Sequence, residues 1–194
     1  MSCGSKTYKL SDSDFDWVPY KGKDTLVFTS NTGDTDTLFL RNGKRYMDYK
    51  VDPLSMTPSD STENFDISYK YNYFDTIQKI NNFGVFPLII MKRTKEGATN
   101  IGFSITRNKA YFDGMKFFEI EHLKNLKLVT IEANLKKYDD VFIIVPDTSS
   151  LKNSNRNDYV LKMYWSKSQG LIRFDKNNNI YYTLTKKYST DYKN

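Results

Sequence analysis

The stretch from Phe65 to Tyr73 constrains this chain most. Phe65, Ile67, Tyr69, Tyr71 and Tyr73 alternate with Asp66, Ser68, Lys70 and Asn72. Successive side chains of a strand point to opposite faces, so a period of two predicts a half-buried strand with one apolar face. That face is buried only if other elements pack on it. The rest of the chain offers more strands and few helices. Leu26–Ser30 and Thr37–Arg41 flank the turn-rich NTGDTD, where Gly33 can take a positive φ. Asn42–Gly43 reads as a two-residue hairpin leading into KRYMDYKV. VDPLSMTPSDSTEN, with two prolines, reads as a loop. DTIQKINN reads as a short helical turn, VFPLIIMKR and TNIGFSITR as strands, and Asp113–Gly114 as a tight hairpin. EIEHLKNLKLVTIEANLKK fits a short helix or a bulged strand, and DVFIIVP a buried strand.

The last unit, YVLKMYWSKSQGLIRFDKNNNIYYTL, predicts three strands, with Tyr159, Leu161, Met163 and Trp165 on one face and DKNNN joining the second to the third. Gly170 stands where a strand follows a turn and suits a bulge or a positive φ. Arg173 should point away from Ile172 and Phe174, to solvent or to a carboxylate at the rim. Roughly ten strands with short turns predict a mainly β protein: a single antiparallel β domain, sandwich or open half barrel, with few short helical segments. The aromatic content of 15% fits that class. Residues 1–16 are small, polar and acidic at Asp12, Asp14 and Asp16, which predicts a flexible tether ahead of one β-rich domain over 17–194.

Several kinds of chemistry lack their residues. His122 is the only histidine and Cys3 the only cysteine. Zinc sites draw three or four ligands mostly from those two residue types, and Cys–His or Ser–His–Asp catalysis needs a histidine beside its nucleophile. Asp12-x-Asp14-x-Asp16 and Asp175-x-Asn177-x-Asn179 imitate the start of a calcium loop. They put Trp17 and Lys23, or Ile180 and Lys186, where the loop needs Gly and Glu. Asp139 and Asp140, being adjacent, face opposite ways in a strand. No phosphate-binding or dinucleotide glycine pattern occurs, so no cofactor is expected. The net charge of +6 lies in the second two-thirds: residues 1–66 hold 8 Lys/Arg against 11 Asp/Glu. Lysine outnumbers arginine 23 to 6 and the cations are scattered, which argues against nucleic acid as a partner. The longest apolar run, Val85 to Met91, is seven residues with Pro87 inside, against about 20 for a spanning helix.

The position of Cys3, ahead of a polar tether, carries a resemblance. SCGS resembles the lipobox remnant of a bacterial lipoprotein, in which cleavage just before a cysteine exposes the residue that takes the lipid. Cys3 is then the lipidation site, Ser2 the residue before the cut, and Met1 an added start. Further along, Tyr138, Asp140 and Val141, then Tyr164, Gly170, Leu171 and Ile172, resemble the C-terminal pattern of uncharacterised Bacteroidetes-type lipoproteins. More weakly, the chain is similar to the half barrel of lipoprotein-carrier proteins. The resemblance implies a β fold and a place at the bacterial outer membrane or periplasm, attached through lipid. It carries no catalytic residues.

The expected function is therefore a lipid-anchored cell-envelope protein, not an enzyme, binding a lipid, glycan or peptide. Tyr69, Tyr71 and Tyr73 are the candidate ligand-binding residues, alongside the reading of the same ladder as a core face. A protein-interaction subunit of an outer-membrane complex, or an immunity-type inhibitor, is the alternative. A hydrolase using two facing carboxylates is the third reading.

Overall fold

The computed structural model describes residues 5–49, 60–75, 79–107, 110–147 and 153–189, the side chains of 72–75 and 82 excepted. Fifteen strands lie within them: β1 (Thr7–Tyr8), β2 (Thr25–Ser30), β3 (Thr35–Phe39), β4 (Lys44–Tyr49), β5 (Ser61–Asp75), β6 (Ile80–Arg93), β7 (Thr99–Phe103), β8 (Thr106–Arg107), β9 (Ala110–Tyr111), β10 (Lys116–Glu119), β11 (Val129–Ala133), β12 (Lys136–Ile144), β13 (Val160–Ser166), β14 (Gly170–Lys176) and β15 (Tyr181–Tyr188). Helix among the described residues is limited to α1 (Ile120–Lys124) and short 3₁₀ segments at Asp12–Trp17, Asn153 and Asn177–Asn179. The protein is mainly β and antiparallel, as the alternation predicts.

One sheet runs β1-β5-β6-β7-β10, with β4 also on β5; the other runs β11-β12-β13-β14-β15-β2-β3. They pack face to face. Phe103 of the first sheet meets Trp165 at 4.6 Å and Phe142 at 5.4 Å from the second. At one corner the sheets join, where Leu40 bridges Tyr69 and the Arg41 N–H donates to the Ser68 carbonyl at 2.7 Å. The result is an open sandwich, and these strands do not close into a barrel.

Three corrections concern local structure. Asn42–Gly43 joins no hairpin: β3 belongs to the second sheet and β4 pairs with β5 of the first. Gly43 serves a close approach instead, since a Cβ there would lie 2.5 Å from the Phe65 ring. The proposed helical turn over DTIQKINN gives way to strand at 80–82, where β6 returns along β5; residues 76–78 lie outside the described residues. Leu161 leaves the face expected of it and is exposed. A bulge between Val160 and Lys162 turns Val160 into the core in its place.

The largest correction is the tether. Residues 5–16 are part of the sandwich. β1 pairs in parallel with β5, Thr7 opposite Ser61. Leu10 is buried, and its N–H donates to Glu63 at 2.9 Å. Asp14 is buried as well: it accepts from the Ser11 N–H at 2.8 Å and from Thr99 Oγ1 at 3.1 Å, with Arg93 at 3.8 Å. An acidic, polar stretch thus docks because its carboxylate finds built donors, which composition alone does not reveal. Cys3 lies outside the described residues.

Candidate functional site

β5 and β6 are far longer than their neighbours. β7 pairs with β6 only from Ile89 to Arg93, and β4 pairs with β5 only from Ser61 to Asp66. Beyond the Leu40–Tyr69 bridge the two strands run on as a two-stranded arm, Lys70 opposite Val85, Asn72 opposite Phe83 and Asp75 opposite Ile80. The tyrosine ladder lies along one face of this arm, and the structure gives its members different environments.

Tyr69 is fully buried. Its hydroxyl donates to the Thr106 carbonyl at 3.0 Å and accepts from the Thr106 N–H at 2.7 Å, so one phenol satisfies both backbone groups of a residue in β8. Burial pushes the hydroxyl far above the usual phenol range despite the hydrogen bond from Thr106. Tyr71 is half-buried, edge-on to Phe86 at 6.0 Å, and covers Gly84. Tyr73 continues the strand opposite Asn82, with its side chain outside the description. Tyr69 is therefore a core residue.

The opposite face of the arm holds what the alternation concealed. Strand pairing sets Phe39, Lys70 and Val85 side by side, because Leu40 pairs with Tyr69 and Lys70 with Val85. Phe39 is 65% exposed, Val85 47% and Phe83, one step further out, 70%. Beside this row an open cleft of about 500 Å³ is lined by Lys23, Phe39, Leu40, Arg41, Asn42 and Lys70. Three cations thus rim an aromatic and aliphatic floor. A second cleft, of about 470 Å³, shares Asn42 with the first and includes Gly43, Arg45 and Phe65.

Phe39, Val85 and the cations around them do not stand out in the sequence. Val85 opens the apolar run Val85–Met91, where its own side chain type does not mark it off from the buried residues that follow; only the register of β6 shows that its start lies on the arm. Lys70 is legible as an outward residue, but its neighbours come from β3 and β6 and depend on the corner bridge.

Several carboxylates among the described residues are held by structural partners. Asp24 accepts from the backbone of Lys21 and Gly22 and pairs with Ser189 Oγ; Asp36 holds Arg107 through two oxygens at 2.6 and 3.0 Å. Asp140 accepts from Ser166 Oγ at 2.6 Å and the Ser168 N–H at 2.7 Å. Burial works against its charge, but these bonds prevail and hold it below the ordinary carboxylate range. Asp14 holds the 3₁₀ turn. Among the described residues no three of His, Cys, Asp and Glu converge as metal ligands, and His122 is exposed on α1.

On the outer face of the other sheet, Arg173 donates to Asp175 at 2.6 Å, and Tyr164 donates to the second oxygen at 2.7 Å. The guanidinium lies 4.1 Å from the Tyr181 ring and 5.2 Å from that of Tyr164. Arg173 thus reaches a carboxylate, as the alternation predicts. With its charge matched and its faces covered, this cluster is a surface clasp across β13, β14 and β15. No helix among the described residues is long and apolar enough to cross a membrane. No family model matches the chain, and neither a curated protein nor a solved structure matches it.

Proposed function

We propose that this chain is a lipid-anchored protein of the bacterial envelope, attached at the outer membrane through Cys3. Its sandwich is a non-catalytic module that binds an acidic peptide segment carrying apolar side chains. The observation that carries the binding part is the row Phe39–Lys70–Val85 beside the cleft rimmed by Lys23 and Arg41. Cations around an exposed aromatic floor favour a ligand that brings carboxylates and hydrophobic groups together. The cleft is open rather than enclosed, which suits an extended segment better than an acyl chain, whose tail is stabilised by complete burial. The engagement of the buried carboxylates with backbone, hydroxyl and arginine groups supports binding over hydrolysis.

Strand direction agrees with an anchor at Cys3. β1 runs parallel to β5 and starts opposite Ser61, and Lys6 just before it bonds Asp60 and Ser61, at the end of β5 remote from the arm. Lys70 stands nine residues along β5 from Ser61, about 30 Å at the rise of a strand. An anchored protein would hold the cleft off the bilayer.

Two measurements test the two parts. Calorimetric titration with an acidic peptide alternating Glu and Leu should show binding, lost in Lys70→Glu and Arg41→Glu; the same peptide with Lys for Glu should not bind. Equal binding of both peptides, or a preference for a dodecanoate probe, would overturn the peptide reading. Mass spectrometry of the protein from its native host should find a diacyl or triacyl modification on Cys3. An unmodified Cys3 in the soluble fraction would remove the anchor and leave the cleft untouched.

A further inference from the structure

The arm has a second feature that the cleft does not use. β7 stops at Phe103, opposite Ile89, and one further backbone bond follows on that edge, the Ser104 N–H donating to the Leu88 carbonyl at 3.1 Å. From Asn81 to Pro87, the edge of β6 away from β5 pairs with no strand among the described residues. Such an edge presents alternate backbone donors and acceptors to any strand that approaches. Proteins guard such edges with charges, above all lysine, or with bulges. Residues 80–87, INNFGVFP, contain no charged residue. Two large apolar side chains on one face, Phe83 and Val85, are exposed there at 70% and 47%.

The sequence of this edge is self-complementary. If two copies meet antiparallel with Gly84 on the two-fold axis, Phe83 of each lies directly opposite Val85 of the other. Facing residues of paired strands share a face, so both Phe83 and both Val85 side chains form one apolar cluster. On the other face the axis falls on two glycines, which add no side chain of their own beside Tyr71. Asn81 then lies opposite Pro87, whose missing N–H ends the ladder. A two-fold interface uses the same patch twice, which is what this stretch provides.

We infer that the β6 edge from Asn81 to Pro87 is a homodimer contact, pairing antiparallel about Gly84 and joining the first sheets of two copies into one continuous sheet. The inference is independent of the ligand proposed above. The contact is small, below about 1,200 Å², and so belongs with weak, reversible associations in the micromolar range.

Sedimentation velocity of the full chain from about 1 µM to about 1 mM should show a monomer–dimer equilibrium. Phe83→Lys/Val85→Lys puts four like charges across the axis and should weaken the dimer at least ~10-fold. Both sites are exposed, so its melting temperature should stay that of the parent. Register is read by cross-linking in a Cys3→Ser background. An oxidised mixture of Phe83→Cys and Val85→Cys should give a disulfide-linked heterodimer, and each variant alone should give none. A monomer at every concentration, a dimer unaffected by the lysines, or cross-linking of either variant with itself would overturn the inference. Acidic-peptide binding in the single variant Phe83→Lys, which leaves the Phe39–Lys70–Val85 row in place, keeps this outcome separate from that of the proposed function.

Discussion

The Tyr20 hydroxyl accepts a hydrogen bond from the Leu171 N–H at 3.0 Å and lies 2.2 Å from where a Cβ on Gly170 would stand. Two segments far apart in sequence are thus fitted by one phenol. Gly170 is constrained twice, by that contact and by a φ of 86°. Burial raises the Tyr20 hydroxyl far beyond the usual phenol range, so it acts as a neutral group at any ordinary pH. Gly170→Val should cost about 3–5 kcal/mol, from crowding plus a positive φ in a β-branched residue. Tyr20→Phe should cost about 1–2 kcal/mol by leaving the Leu171 N–H unpaired in the core. Thermal melts that leave Gly170→Val unchanged would show that Tyr20 yields.

The N-terminal segment should behave as part of the domain. Removing residues 1–11 takes out β1 and buried Leu10, a side chain whose burial contributes roughly 1.5–3 kcal/mol, and leaves Glu63 short of a donor. Asp14→Asn, which keeps the shape but weakens the bonds to Ser11 and Thr99, should cost about 1–3 kcal/mol. Denaturant titration decides the matter: an unchanged midpoint in the truncated chain would restore the tether.

Within the tyrosine ladder the cost of truncation should fall along the arm. Tyr69→Ala opens the core and strips Thr106 of both partners, for about 3–5 kcal/mol. Tyr71→Ala removes a half-buried ring and should cost only about 1–2 kcal/mol. Equal losses would mean that Tyr71 is covered in solution by more than Phe86 and Gly84.

Tyr164 should titrate late. Burial, then its bond to Asp175 and that carboxylate's charge, push the hydroxyl up to about 12, while Arg173 pulls the other way. A folded value above the ordinary 10.0 means that the fold favours the protonated phenol. The stabilisation is full below about pH 10 and disappears as pH rises through about 12. Ultraviolet absorbance should show one tyrosine fewer ionising late in Tyr164→Phe, and alkaline unfolding of that variant should depend less on pH. Arg173→Ala should lower the Tyr164 transition further down only if Asp175 leaves with it; with Asp175 in place the transition should move up.

The fold class was legible because strand alternation is a local property. Phe65–Tyr73, the last three strands and the positive φ of Gly170 all depend on residues near one another in sequence. The crossover after β3 was not legible, since Asn42–Gly43 has the chemistry of a hairpin turn and only the placement of β4 on β5 shows otherwise. Asn134–Leu135 is the converse case. It forms a two-residue turn with both φ values positive, 50° and 60°, although leucine is a poor residue there, and Leu135 is 97% exposed. The cleft was illegible for a third reason: Lys23, Arg41 and Lys70 come from three segments, and no local pattern brings them together. Tyr69 could be placed inside, but its pairing with Thr106 could not.

The sheet order carries a consequence for biogenesis. The hairpin of β2 and β3 joins its sheet only through β15, the last strand of the described chain. During synthesis that hairpin emerges early, and the surface that receives it is missing until some 150 residues later, since Phe28 meets Leu184. Neither the Phe28–Phe174 contact nor the Thr29–Thr185 hydrogen bond can form before then. A vectorially delivered chain must keep Leu26, Phe28 and Leu38 from aggregating through this interval. Closure pairings of such long sequence separation fold slowly, so the protein's demand for chaperoning falls mainly on its first fifth.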